Sequence, residues 1–412
     1  MTPIQEQIKK DRQIKKFCAY GFLKNLKFFE PYLVVYLLGF DLNLFEIGLL
    51  YSLREAIMYL FEIPSGIIAD HYGKKKELMM CFLFYMISFV FFFIGGSFGF
   101  FAIAMFFFGL GEAFRSGTHK AMIYSYLEQK DWFSHKTFVY GRTRSFSLVG
   151  SSISALLSII FVLSLPSLRG LFLIGVIPYL LDFVLIASYP ANLDEKKDTE
   201  LSMGHVFLEG FKSLSVLGKD RKLRGVILSS SSFDAFFRTI KDYVQPLLLI
   251  LFVGSIQDEA TLQVKVTLGV LYGVMNLASA FASRNVYRLT EKSSPLDWMN
   301  RLFDGFGLMA GLIALGIYIE QPILIMLAFF TLFIMKDSRR PLFVATAGDL
   351  IPKKQRATIL SVESQLRALM LIILAPLFGF FAEQVPLSLL FLGLGLVLLL
   401  FNRWLVASLS ET

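Results

Sequence analysis

"GFLKNLKFFEPYLVVYLL", residues 21–38, is apolar enough to enter a bilayer, yet it carries Lys24, Lys27 and Glu30, with Pro31 next in line. A charge at bilayer depth is expensive unless it faces the interior of a bundle, a cavity or a partner. The composition shows that the bilayer is the right setting. The chain is 55% hydrophobic with 44 Phe, and its mean hydropathy is +0.62. Soluble domains do not have this composition.

A span needs about 20 mostly apolar residues. Twelve such segments follow one another: 15–39, 44–68, 77–96, 98–127, 138–163, 169–189, 224–254, 264–283, 300–319, 322–350, 355–382 and 386–408. Only helices or closed barrels cross lipid, and segments of this length predict an all-α polytopic membrane protein. The polar opening "MTPIQEQIKKDR" and the charged first span predict no cleaved signal peptide. Cys18 and Cys81 allow neither a disulfide framework nor a cysteine metal site. The basic connections ("HYGKKKE", "EQKDWFSHK", "DRKLR", "SRNVYRLTEK", "PKKQR") alternate with connections almost free of Lys and Arg. The positive-inside rule puts the basic set, and with it both termini, in the cytoplasm of a cell whose inner membrane holds the chain. The basic excess is therefore a topology signal, and nucleic acid is not an expected partner.

Residues 190–222 are polar and then mildly amphipathic from Met203 to Leu217. They read as a cytoplasmic linker with a short surface helix, between an N-terminal six-helix bundle (1–189) and a C-terminal one (223–412). The halves echo each other. "LKNLKFFEPYL" in span 1 matches "FRTIKDYVQPLL" (237–248) in span 7, Lys24 and Lys27 falling on Arg238 and Lys241. "GRTRSFSLVGS" (141–151) matches "QRATILSVESQ" (355–365), with Arg142 on Arg356 and Gly150 on Ser364. Paired echoes in corresponding spans are the mark of a transporter built from two related halves.

The intramembrane charges recur every third span. Span 1 has Lys24, Lys27 and Glu30; span 4 has Glu112, Arg115, His119 and Lys120; span 7 has Asp234, Arg238, Lys241 and Asp242; span 10 has Lys336, Asp337, Arg339 and Arg340. At about 100° per residue, Asp234, Arg238, Lys241 and Gln245 share a stripe, as do Glu112, Arg115 and His119, with Lys120 turned aside. Span 11 places Arg356, Glu363 and Arg367 on one face. Glu363–Arg367 and Asp337–Arg340 have the spacing of intrahelical ion pairs. Pro31 and Pro246 predict kinks just past the charges.

Residues 61–77, "FEIPSGIIADHYGKKKE", resemble the helix 2–3 loop signature of the major facilitator superfamily, with Gly66, Asp70, Gly73, Lys74 and Lys75 at the signature positions and His71 where a basic residue is usual. "EIPSG", "FRSGTHKAMIYSYL" (114–127), "RRPL" (339–342) and "IPKKQRATILSVES" (351–364) resemble its "EIPTG"-type prokaryotic permeases. The resemblance implies twelve helices in two pseudo-symmetric six-helix bundles, with helices 1, 4, 7 and 10 lining a central cavity. It also implies a gating loop at Gly66–Lys75, in which Asp70 faces the start of helix 11 near Lys353. The glycines there are expected to let helices approach and turn tightly.

In that arrangement nine bases and five acids line the cavity. A basic surplus in low dielectric selects anions, with Arg gripping a carboxylate or phosphate in bidentate fashion. The expected cargo is an anionic, multiply charged organic solute: an organic acid, a phosphorylated metabolite or a carboxylate-type siderophore. The expected grip is Lys24, Lys27, Arg115, Lys120, Arg238, Lys241, Arg339 and Arg340, with Arg142 and Arg144 adding to it. No phosphate-binding G-x-x-x-x-G-K-[ST] loop is present, so gradient-driven transport or exchange is expected. Glu30, Glu112, Asp234 and His119 are candidate proton carriers. An enzyme is not expected, and neither is a cofactor, a metal or an oligomer. Multidrug or toxic-metabolite efflux and a transport-inactive sensor of the same fold are the alternatives.

Overall fold

The computed structural model describes residues 3–193, 221–255, 260–286, 293–350 and 356–410. Their regular structure is all helical, with no strand among the described residues. The linker expected at 190–222 and the helix 11 start at Lys353 lie largely or wholly outside them.

Span 1 is not one helix. After the short α1 (Pro3–Lys10), α2 runs Arg12–Leu23, and the chain then unwinds over Lys24–Phe29. It re-forms as a 3₁₀ turn (Glu30–Tyr32) and α3 (Leu33–Leu38). Asp11 starts α2 by accepting the Ile14 N–H at 2.9 Å. At the other end Asn25 Nδ2 donates to the Gly21 carbonyl at 2.6 Å, and the Tyr179 hydroxyl donates to the Lys24 carbonyl at 3.2 Å. Unwound backbone inside a bilayer survives only where such groups re-satisfy it. The break begins at Lys24, well before Pro31, so the charged segment and not the proline sets its place. Pro31 instead sits in the 3₁₀ turn.

The following helices are α4 (Leu44–Tyr72), α5 (Lys74–Ile94), α6 (Phe98–Arg115), α7 (Thr118–Gln129), α8 (Lys136–Ser164) and α9 (Gly170–Ala187). Span 4 is α6 plus α7, bent at Ser116–Gly117, where Gly117 takes φ +78°. Span 7 repeats the design of span 1: α10 (Arg221–Ile240), a 3₁₀ turn at Lys241–Tyr243, then α11 (Val244–Val253). Pro246 falls in the first turn of α11, where its missing N–H does no harm. The rest are α12 (Leu262–Asn285), α13 (Pro295–Tyr318), α14 (Pro322–Leu350), α15 (Arg356–Gln384) and α16 (Leu387–Ser410).

Among the described residues, eight helices are long and apolar enough to cross a membrane on their own. The four spans missing from that set are 1, 2, 7 and 10. Spans 1 and 7 are split, while α4 carries Glu46, Arg54, Glu55, Glu62 and Asp70 and α14 carries Lys336, Asp337, Arg339 and Arg340. Broad apolar faces stay exposed for lipid, such as Ile177, Leu180, Leu181 and Val184 on α9 and Leu389, Leu392, Leu396 and Leu400 on α16.

The chain divides into two compact units: Met1–Pro31 with Leu53–Val206, and Tyr32–Ser52 with Phe207–Thr412. The sequence-based partition assigns 32–52 to the first bundle, but these residues group with the second. The reason is visible in their bonds. Gln245, wholly buried, accepts the Val34 and Val35 N–H groups at 2.8 and 3.2 Å and so caps α3. Glu383 accepts the Leu44 N–H at 2.7 Å, and Ser52 donates to the Ile372 carbonyl at 2.6 Å.

The internal repeat shows in the packing. In the first unit α5 packs on α6 and α9, and α2 packs on α8. In the second, α13 packs on α14 and α16, and α10 packs on α15. These are corresponding pairs. Close approach marks the α2–α8 crossing, where a Cβ on Gly150 would stand 2.4 Å from the Phe22 carbonyl oxygen. Where α10 meets α15, Ser231 donates to the Glu363 carbonyl at 3.0 Å. Gly150 and Ser364 are the echoed positions of the sequence, and both crossings are built on small residues.

Candidate functional site

The break in span 1 and the bend in span 4 bring their charges together within the first unit. Lys27 Nζ lies 3.5 Å from Glu112 Oε1. Arg115 pairs with Glu112 Oε2. The Tyr85 hydroxyl donates to Glu112 Oε1 at 2.7 Å and accepts from Arg115 Nε at 3.1 Å. Glu112 is thus held by two cations and a phenol. A hollow of about 40 Å³ lined by Lys24, Lys27, Arg115, Tyr85 and Tyr179 adjoins this group.

Above it opens a pocket of about 200 Å³. Its lining includes Lys24, Arg115, Lys120 and Arg144, with Tyr20 and Tyr140, and it contains no carboxylate. Lys24 Nζ stands 5.1 Å over the Tyr20 ring. Lys120 Nζ stands 5.4 Å over the Tyr140 ring and 5.5 Å over the Tyr124 ring. The charge of Arg115 is matched by Glu112. Among the described residues, Lys24, Lys120 and Arg144 make no ion pair with any carboxylate. Three cations around a small polar hollow form a site for negative charge. Thr143 and Ser147 of α8 add hydroxyls to the wall.

The second unit treats its charges differently. Lys241 donates to both Asp242 oxygens at 2.8 and 2.9 Å, and Asp242 also accepts from Tyr272 at 2.9 Å and Tyr51 at 3.2 Å. Lys336 pairs with Asp337 at 2.9 Å. Glu363, wholly buried, accepts from Arg340 at 2.8 Å and Arg367 at 3.3 Å. Arg367 also reaches Asp234 at 3.7 Å. Each of these four acids has a base.

A model of the Major Facilitator Superfamily matches residues 17–373 of this chain. The chain belongs to the major facilitator superfamily. It is 22% identical over 391 residues to the uncharacterized MFS-type transporter YxaM of Bacillus subtilis (strain 168), covering 93% of each protein. Solved structures of the same fold include the nucleoside transporter NupG (TM-score 0.74, 11% identity, 96% of this chain and 99% of that one). A POT family transporter in complex with 5-aminolevulinic acid matches with TM-score 0.75 at 15% identity, over 97% and 96% of the two chains. A member of this superfamily is a secondary transporter of small molecules, not an enzyme.

Several expected site residues sit elsewhere than helical spacing placed them. Arg339 is 3% exposed; it donates to the Ser229 and Met299 carbonyls at 2.9 and 3.3 Å and stacks 4.4 Å from the Phe233 ring. It packs α14 against α10 and α13 and lines no pocket described here. Arg340 bonds Glu363 across helices instead of Asp337 within its own, which takes Lys336. His119 lies flat on Tyr20 (3.6 Å between ring centres) and edge-on to Phe17, in an aromatic stack at the pocket wall. Lys120, predicted to turn aside, joins the pocket because Gly117 re-phases α7 relative to α6. Gln245 leaves the predicted stripe to cap α3. Glu30 is exposed in the 3₁₀ turn, and Arg238 and Asp234 remain on α10. The side chain of Arg356 lies outside the described residues.

The gating-loop residues divide. Gly73 takes φ +105° at the α4–α5 turn, which only Gly adopts without strain. Gly66 is exposed, and among the described residues a Cβ there would meet nothing within 4 Å. Lys75 donates to the Tyr189 carbonyl at 2.9 Å and ties the loop to the end of α9. Tyr20, Tyr140, Tyr85 and Tyr179 were missed by a search for charge. Their one sequence signal is that Tyr20 precedes Lys24 by a single helical turn.

Proposed function

We propose that this transporter moves a compact anionic organic solute by alternating access, and that the first-unit pocket is its grip. The observation that carries this is the lining: Lys24, Lys120 and Arg144 beside Arg115, with no carboxylate among them. Solved structures of this fold include a nucleoside transporter and a POT family transporter in complex with a conjugated peptide, so the fold leaves the cargo open and the pocket's charge must select it. A volume of about 200 Å³ favours a small organic acid or phosphorylated metabolite over a siderophore. Lys27 with Glu112 and Arg115 forms a preset clamp beneath. Coupling to protons and a monomeric inner-membrane protein with cytoplasmic termini complete the reading, the last on the basic loops.

The test is a thermal-shift panel of organic acids, phosphates, neutral sugars and lipophilic cations, followed by uptake into proteoliposomes. A ligand at 100-fold its dissociation constant stabilises by about 2.7 kcal/mol. If a sugar or lipophilic cation is transported and no anion competes, the reading is wrong.

A further inference from the structure

α9 buries a carboxyl that the anion pocket does not use. Asp182 is wholly buried, and neither of its oxygens has a hydrogen-bond partner among the described residues. An ionised carboxylate without a partner is among the costliest groups to bury, and within a bilayer no bulk water relieves it. The same side chain in its neutral acid form carries a far smaller penalty.

Its neighbours give it a role. Tyr179, one turn earlier on the same face of α9, holds the carbonyl of Lys24 at the helix break. Lys24 Nζ stands over the Tyr20 ring, and the buried Tyr20 hydroxyl also has no hydrogen-bond partner among the described residues. The titratable groups whose fields overlap with Asp182 are Tyr20 from α2, Cys81 from α5, Tyr179 on its own helix and Tyr189 just beyond it. Lys24 is the cation acting on it among the described residues, and α8, which also packs on α9, adds no charge. Lys24 therefore stands between two customers for its ammonium group: the pocket and Asp182.

We propose that Asp182 is a proton-binding site linked to the anion pocket through Lys24. While Lys24 faces the pocket, as here, Asp182 keeps a proton on one carboxyl oxygen. When the anion leaves, the O–H proton is released to solvent and the carboxylate becomes the counter-ion of Lys24. Loading the anion reverses both steps, so one proton enters with each anion. The coupling rests on the anion-pocket reading; the buried neutral acid does not.

The experiment uses full-length protein in lipid and sulfate as probe, since its own charge is constant across the neutral range. Wild type should bind sulfate up to tenfold more tightly per unit fall in pH and take up a proton from a weakly buffered solution. Asp182→Asn, isosteric with the neutral acid, should bind with no pH dependence and take up none. The same pH dependence in Asp182→Asn as in wild type would overturn the proposal. Infrared spectra supply a readout independent of any ligand and of that variant's folding. In Lys24→Gln the carboxylic-acid carbonyl band should persist to higher pH than in wild type, and a band titrating as in wild type overturns the link. If sulfate does not bind wild type, the pocket reading loses its support. The infrared difference between Lys24→Gln and Lys24→Gln/Asp182→Asn then decides separately: with the counter-ion gone, an acid band at neutral pH supports the proton site, and its absence overturns it.

Discussion

Removing pocket charge one residue at a time should weaken anion binding by an amount set by burial. A sphere of about 200 Å³ has a radius near 3.6 Å, so a centred anion sits about 6 Å from a lining cation. At an effective dielectric of about 20, one unit charge at that distance is worth about 2.8 kcal/mol. Lys24 is half-buried and Arg144 is exposed, so solvent screening reduces both, the second more. We expect Lys24→Gln to cost about 2 kcal/mol, roughly 30-fold in dissociation constant. Arg144→Gln should cost about 1 kcal/mol, roughly fivefold. Calorimetry on the tightest anion from the screen reads both. High salt should shrink the Arg144 effect more than the Lys24 effect. Arg403→Gln, a cation with a side chain 75% exposed on α16, is the control. If both pocket variants bind within about twofold of wild type, the pocket does not hold the anion.

Three further outcomes follow from the packing. Glu112→Gln strips the partner from Lys27 and Arg115 and should lower unfolding stability by about 3 kcal/mol; anion affinity should hold or rise, and unchanged thermal unfolding would show that the clamp is not structural. Arg339→Ala removes the donors to the Ser229 and Met299 carbonyls and leaves a hole, at about 2–4 kcal/mol; the folded remainder should bind anions as wild type does. Gly150→Ala drives a methyl into the Phe22 carbonyl and should destabilise by about 1–3 kcal/mol, whereas Gly66→Ala should be neutral or raise the melting temperature. A transport defect in Gly66→Ala without a stability change would place its role in gating, not packing.

The fold was legible because its signals are long: twelve apolar runs, alternating basic connections and a charge on every third span. Proximity of spans 1 and 4 came from the resemblance to the superfamily, whose helices 1, 4, 7 and 10 line one cavity. What helical spacing could not supply was direction. Spacing assumes an unbroken helix, and the key spans are interrupted at Lys24–Phe29, Gly117 and Lys241–Tyr243. Each interruption resets the rotation of everything beyond it, so Lys120 entered the pocket and Gln245 left its stripe. Ion-pair choice was illegible for a related reason. Arg340 could reach Asp337 locally, but a buried carboxyl on another helix, Glu363, needed the charge more. Asp182 was visible as a lone acid in span 6, and only its burial without partners shows that it is unusual.

The course of the backbone between the units has a mechanical meaning. The chain leaves the first unit at Pro31–Tyr32 and re-enters it at Ser52–Leu53. The second crossing lies inside α4, a continuous hydrogen-bonded rod, which resists bending. The first lies at the end of the unwound stretch that carries Lys24 and Lys27. Lys24 and Arg144 lie in the same unit, the first on the unwound stretch and the second on α8, so an anion fastened between them would steady a backbone that has no helix of its own to hold it.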